Sequence, residues 1–179
     1  KGCLMSTYTL IQKYTVSGSG GVANFTFSSI PQTYTDLLLR VSSRTLRSGA
    51  YEDGLGVAVN GSNATSWLLL SGNGSSASSG TSSSLGYGLS WAGRVPGNSA
   101  TASTYGILDL YIPNYTSSAV KSGSVDAVTE NNNAYAWASL LGILYPSTAV
   151  TSLLIVGGNA NLAQYSTFYL YGITKNSGV

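Results

Sequence analysis

The side chains that could do chemistry are few. The chain holds six carboxylates, Asp36, Glu52, Asp53, Asp109, Asp126 and Glu130, and no histidine. Glycoside hydrolysis would need two carboxylates about 5–9.5 Å apart across a cleft. Glu52 and Asp53 are adjacent, and adjacent strand residues leave opposite faces. Asp126 and Glu130 share a strand face, but the intervening rise separates them by about 13 Å. A cross-strand pair stays open. Without histidine, Ser-His-Asp and Cys-His nucleophile systems are excluded, and so is the commonest transition-metal ligand. Cys3 is the single cysteine. It can form no intrachain disulfide and has no base beside it to activate it. The expectation is a non-enzyme with no catalytic residue, no cofactor and no metal.

Other polar clusters read as turns. "YEDG" and "VTENNNA" offer oxygens but lack the alternating aspartates of a calcium loop. Asn and Asp in such places bond their own backbone and tolerate positive φ. "GSGGVANF" lacks the Lys-Ser/Thr continuation of a phosphate loop, so a β-turn is the reading. Asn-x-Ser/Thr triplets at Asn24, Asn60, Asn63, Asn73 and Asn114 follow from the richness in Asn, Ser and Thr.

Aromatic residues are the remaining chemistry, with 13 tyrosines and 3 tryptophans. Such rings stack on sugars and anchor protein interfaces. Tyr51, Tyr87, Tyr115 and Tyr135 adjoin turn-like segments and are candidates for a surface role. Trp67, Trp91 and Trp137 are candidates for the core.

The elements that must position these groups are strands, because the dominant period is two. "DLLLRVSSR" sets Leu37, Leu39 and Val41 on one face and Leu38, Arg40 and Ser42 on the other. "LGVAVNG" sets Leu55, Val57 and Val59 inward and ends in Asn60-Gly61, a hairpin signal after which "SWLLL" returns. Strands are predicted near residues 8–16, 22–28, 36–44, 54–60, 65–70, 85–91, 104–112, 119–129, 134–145, 149–156 and 166–174. "NAYAWASLLGILYP" could be helical, but Tyr135, Trp137 and Ser139 alternate, and Gly142, a poor helix former, together with the β-rich neighbours tips the reading to strand. The Ser/Gly tract Ser71–Ser84 reads as a surface loop, or as an arm ordered by a neighbouring subunit. "SSAVKS" and "PSTAVTS" read as two similar hairpin strands. Many short strands closed by turn residues predict an all-β fold, a two-sheet antiparallel sandwich of jelly-roll type whose first and last strands pair. The domain organisation is a tail over 1–7, one sandwich over 8–174 and a tail over 175–179.

Composition narrows the function. The chain has 179 residues, a net charge of +2 and only 8% charged residues. That charge is too small for a nucleic-acid footprint. The cluster Arg40, Arg44 and Arg47 would point different ways from a strand. No run approaches the ~20 apolar residues of a membrane span. "KGCLMSTYT" lacks the apolar segment of a signal peptide. Met5-Ser6 reads as a translation start, behind a Lys-Gly pair whose codons would resemble a bacterial ribosome-binding site. The expected mature N-terminus is Met5, which mass spectrometry checks. An uncharged Ser, Thr, Asn and Tyr surface packs readily against neighbours, which favours assembly.

One longer stretch carries a resemblance. "GILDLYIPNYTSSAVKSGSVDAVTENNNA", followed by "TAVTSLLIVGGNANLAQYSTFYLYGI", is similar to small virion proteins of tailed bacteriophages, especially aquatic ones. The shared features are an Ile-Pro-Asn-Tyr strand end, a Lys-Ser strand running into Glu-Asn-Asn, and a closing Tyr-Gly-Ile. "FSSIPQTYTDLLLRVSSR" fits the same pattern. The resemblance covers most of the chain from Met5 and departs at the Ser/Gly tract and residues 1–4. It implies a structural role on a phage head or tail and a jelly-roll-like fold. In physical terms, Ile112-Pro113 must end a strand, since proline cannot donate to a ladder. Leu108, Leu110 and Ile112 should then face the core. Asp109 should face outward and pair with an arginine or a neighbouring subunit.

The reading is therefore a virion surface protein, a head decoration or cement protein that assembles as a homotrimer and contacts phage capsid or tail proteins. No nucleic acid or membrane partner is expected. Surface candidates are Tyr51, Tyr87, Asp109, Tyr115 and Tyr135. The alternative is a tail-fibre tip that binds a receptor or host-surface glycan. That reading requires a concave aromatic patch on which polar side chains converge.

Overall fold

The computed structural model describes residues 7–62, 66–82, 92–132 and 135–174. Among these described residues are twelve strands: β1 (Thr7–Thr15), β2 (Asn24–Phe27), β3 (Asp36–Ser43), β4 (Glu52–Val59), β5 (Ser66–Gly72), β6 (Ala77–Ser82), β7 (Gly93–Pro96), β8 (Gly106–Ile112), β9 (Lys121–Thr129), β10 (Trp137–Tyr145), β11 (Leu153–Gly157) and β12 (Thr167–Thr174). They form an eight-stranded sheet in the order β1-β12-β3-β8-β9-β10-β5-β6 and a four-stranded sheet in the order β2-β11-β4-β7. Every pairing is antiparallel.

The nesting of partners gives the architecture. β1 pairs β12, β2 pairs β11, β3 pairs β8 and β4 pairs β7. Successive nested pairs alternate between the two sheets. That is a long antiparallel hairpin rolled on itself, the jelly-roll arrangement. Two hairpins interrupt it. β5–β6 falls between β4 and β7, and β9–β10 falls between β8 and β11. Both add to the free side of β8, which makes one sheet twice as wide as the other.

Alternation places the core as expected. Leu37, Leu39, Val41, Leu108, Leu110, Ile112, Val125, Phe168 and Leu170 of the large sheet meet Leu55, Val57, Val59, Leu153 and Ile155 of the small one, all buried. At one end Tyr14 stacks on Phe25 at 4.2 Å, and Phe25 packs on Phe27 and Phe168. The terminal strands β1 and β12 pair, and Trp137–Tyr145 is strand rather than helix.

Several expectations change. Asn60 and Gly61 do form a tight turn, both with positive φ (52° and 69°), closed by Val59 and Ser62. The chain that returns is not β4's neighbour, however, because β5 joins the other sheet against β10. The Ser/Gly tract is not a plain loop. Its middle is β6, entered through a turn in which Asn73 Oδ1 accepts from the Ser75 and Ser76 amides. β7 has no counterpart among the strands the alternation predicts, and the expected strand at 85–91 lies outside the described residues. "SSAVKS" and "PSTAVTS" are mostly not strands. They are neighbouring loops, tied by the buried Lys121, whose Nζ donates to the carbonyls of Ser117, Ala119 (2.8 Å) and Thr148 (2.6 Å). Three acceptors match the three N–H bonds of an ammonium. Burial presses the Lys121 pKa below its ordinary value.

The Ile-Pro-Asn-Tyr stretch ends β8 at Ile112 as expected. Asn114 adopts positive φ (47°) and its amide donates to Asp36 Oδ1 at 2.9 Å. Tyr111 donates to the other oxygen at 2.5 Å, so buried Asp36 anchors the rim from β3. Tyr115 corrects the sequence reading. It is 0% exposed, its hydroxyl donates to the Pro31 carbonyl, and it belongs to the core rather than the surface. The turn made by Asn114 swings the next side chain back under the sandwich.

Candidate binding site

The unequal widths of the sheets create the site. β7 packs on β8 and β9 and only grazes β10. The inward faces of β10, β5 and β6 run on past that edge. Pairing sets Ser139 opposite Ser71 and Leu141 opposite Leu69. By alternation Trp137, Ser139 and Leu141 of β10 share a face with Trp67, Leu69 and Ser71 of β5. Together with Ser78 of β6 and Gly93 and Arg94 of β7, they line a recess of about 240 Å³.

β7 can approach the large sheet closely because its first residue is glycine. A Cβ on Gly93 would stand 2.7 Å from Ala127 Cβ and 2.8 Å from Leu108 Cδ1. That approach brings the next residue, Arg94, over the Trp137 ring, with its guanidinium carbon 4.2 Å from the centroid. Arg94 also donates to Glu52 Oε1 from the paired strand β4. Burial, with Arg47 as a second cause, presses the Arg94 pKa below its ordinary value. An arginine stays charged regardless. Its partner Glu52 makes the rim of the recess electrically neutral.

The polar groups inside are unevenly satisfied. Ser71 and Ser78 hydroxyls bond each other at 2.8 Å. The Trp67 and Trp137 indole N–H groups and the Ser139 hydroxyl are buried and have no partner among the described residues. Ser139 is only 6% exposed. An unsatisfied buried donor typically costs about 1–3 kcal/mol. All three belong to residues that line the recess together with Leu69 and Leu141. Such a set favours a ligand that offers oxygen acceptors to the indoles and a hydroxyl to the serine.

Comparisons with known proteins add little. No family model matches the chain, and no curated protein does. A solved structure, the crystal structure of a functionally unknown protein from Saccharomyces cerevisiae, aligns over 97% of this chain and 97% of its own at 11% identity and a TM-score of 0.30. A likeness that weak carries no argument here.

The surface candidates read from sequence do not gather in one site. Tyr51 precedes β4 and is exposed, and Tyr87 lies outside the described residues. Tyr135 precedes β10 and is exposed, with its ring against the backbone of Gly74 (φ 87°) in the β5–β6 turn. Asp109 faces outward from β8, as expected, and both its oxygens accept from Arg40 of β3. The side chains are 60% and 38% exposed, so the pair contributes at most about 1 kcal/mol. Asp109 also stands opposite Asp126 of β9, the cross-strand carboxylate pair that the sequence left open. It lies on the outward face of the large sheet, with Asp109 already held by Arg40. The three arginines diverge. Arg44 is buried among the carbonyls of Gly97, Thr101 and Thr104, and Arg47 lies 3.5 Å from Asp53. Among the described residues no group of three or more His, Cys, Asp or Glu could hold a metal ion, and no helix is long and apolar enough to cross a membrane.

Trp67, a core candidate in the sequence, does pack against the core, Trp137, another candidate, lines the recess, and no sequence pattern marks Arg94 or Ser139 as a site residue. Alternation does place both tryptophans inward. That their strands outrun the opposing sheet depends on topology, which no local pattern carries.

Proposed function

We infer that this protein is a non-enzymatic structural component of a tailed-phage particle, a head-surface decoration protein that packs against copies of itself. The phage role rests on the resemblance of the sequence alone, and the observation that supports packing against copies lies on the outward face of the large sheet. There Leu68 and Leu70 of β5 and Leu140 and Leu144 of β10 are 49%, 49%, 53% and 42% exposed on paired strands. Leu70 and Leu140 are direct cross-strand partners, so the four form one apolar patch. Soluble monomers rarely expose such patches unless they dock something. The 8% charge leaves little electrostatic repulsion between copies. A second copy of the chain is the occupant, and a trimer is the closed assembly expected.

Sedimentation velocity tests this. The wild type should sediment as an oligomer, and Leu140→Lys should sediment as a folded monomer with unchanged circular dichroism. A wild type that stays monomeric at high concentration overturns the assembly reading. Quantitative mass spectrometry of particles then separates head from tail. Hundreds of copies fit the head, and a few to tens fit the tail. The tail-tip alternative has its own support in the recess over Trp67 and Trp137, on the opposite face of the same strands.

A further inference from the structure

We propose that the recess between β7 and the β10–β5–β6 extension binds one neutral sugar ring, a hexopyranose or its N-acetylated form. The proposal does not rest on the assembly reading, because the leucine patch and the recess occupy opposite faces of the large sheet.

Four observations converge. First, the recess is built. Its floor, its two tryptophans and its serines come from strands held in register by the ladders β10–β5 and β5–β6. Second, three of its lining residues carry a buried polar group with no partner among the described residues, including a hydroxyl nine-tenths buried. Unpaired buried groups are rare in folded proteins, and three in one place point to a missing partner. Third, the chemistry of those groups is specific. Two indole N–H groups only donate, whereas a serine hydroxyl donates or accepts. A sugar ring supplies oxygens to the first and a hydroxyl to the second. Its C–H face suits an aromatic wall and the leucine floor. Fourth, the charge is already balanced. Arg94 pairs with Glu52 while lying over Trp137, so a carboxylate or phosphate ligand would have to break an existing ion pair. The volume of about 240 Å³ lies below the ~300–1,000 Å³ usual for ligand sites, which limits the occupant to one ring.

The ring could arrive as a free monosaccharide or as the terminal residue of a surface glycan. Both present the same hydroxyl and C–H chemistry.

The test is an NMR titration that follows the tryptophan indole N–H signals, assigned with Trp67→Phe and Trp137→Phe. The probes are glucose, galactose, mannose, N-acetylglucosamine and N-acetylgalactosamine, each also as its methyl glycoside. At least one should shift both the Trp67 and Trp137 signals saturably. Retention of binding by the methyl glycoside assigns a glycan terminus, and its loss assigns a free sugar. Ser139→Ala should weaken binding about three- to tenfold, the factor of one net hydrogen bond. It should also raise the melting temperature, because it removes an unpaired buried hydroxyl. A residue with only a structural role would not couple tighter folding to weaker binding. The proposal is overturned if no neutral sugar shifts either indole signal up to its solubility limit. It is equally overturned if only an anionic sugar binds, or if Ser139→Ala leaves the affinity unchanged.

Discussion

Tyr145→Phe should make the protein more stable. Tyr145 closes β10, is completely buried, and its hydroxyl has no hydrogen-bond partner among the described residues. Removing an unsatisfied buried hydroxyl recovers about 1–3 kcal/mol of desolvation. The space left is about 10–15 Å³, one water-sized probe. At about 24 cal/mol per Å³ of cavity, that space gives back only ~0.3 kcal/mol. The net gain is then about 0.7–2.7 kcal/mol, which for a domain of this size raises Tm by roughly 1–11 °C. Thermal and urea melts followed by circular dichroism measure it. Alkaline pH supplies a second signature. Burial raises the Tyr145 pKa above its ordinary 10.0. A phenol with a raised folded-state value stabilises fully below the unfolded value and loses that contribution as pH climbs above it. The wild type should therefore lose up to about 1.4 kcal/mol per pH unit above pH 10 relative to the variant. A variant less stable than wild type by 1 kcal/mol or more would show that the hydroxyl has a partner, and one with the same alkaline slope would show that the phenol ionises in the folded protein as it does in the unfolded chain; either result refutes the reasoning.

Three further outcomes follow from the packing. Gly93→Ala should cost about 1–3 kcal/mol in urea denaturation, since its methyl would press on Ala127 and Leu108 in an already filled core. Lys121→Met should cost about 2 kcal/mol by the same measurement, because the loop carbonyls of Ser117, Ala119 and Thr148 lose their shared donor. Asp126→Asn should gain about 0.2–1 kcal/mol by removing a like charge opposite Asp109, and melts in rising salt should shrink the gain.

What alternation could reveal, it did. Leu37, Leu39 and Val41 and then Leu108, Leu110 and Ile112 repeat at period two, and both sets are core. The pairing of the two end strands also followed from their length and aromatic content. β6 escaped notice because Ala77–Ser82 offers no bulky or β-branched pattern. Its strand character comes from the ladder with β5, not from its own side chains. The Asn60-Gly61 signal reported a turn faithfully but not which sheet the chain enters next, since a two-residue turn constrains only local geometry. Lys121 was detectable in principle. It sits at an inward position in step with Gly123, Val125 and Ala127, where a lysine must find acceptors. The recess was not, because it exists only where one sheet overhangs the other.

The pairing of Thr7 with Thr174 has a practical consequence. The chain enters and leaves the sandwich at adjacent points, with Cα atoms about 5 Å apart as antiparallel partners require. A few residues could join them, and new ends could open in the exposed turn near Ser117 without cutting a ladder. The fold could also be spliced whole into a loop of another protein, because host and guest would need to meet at a single doorway.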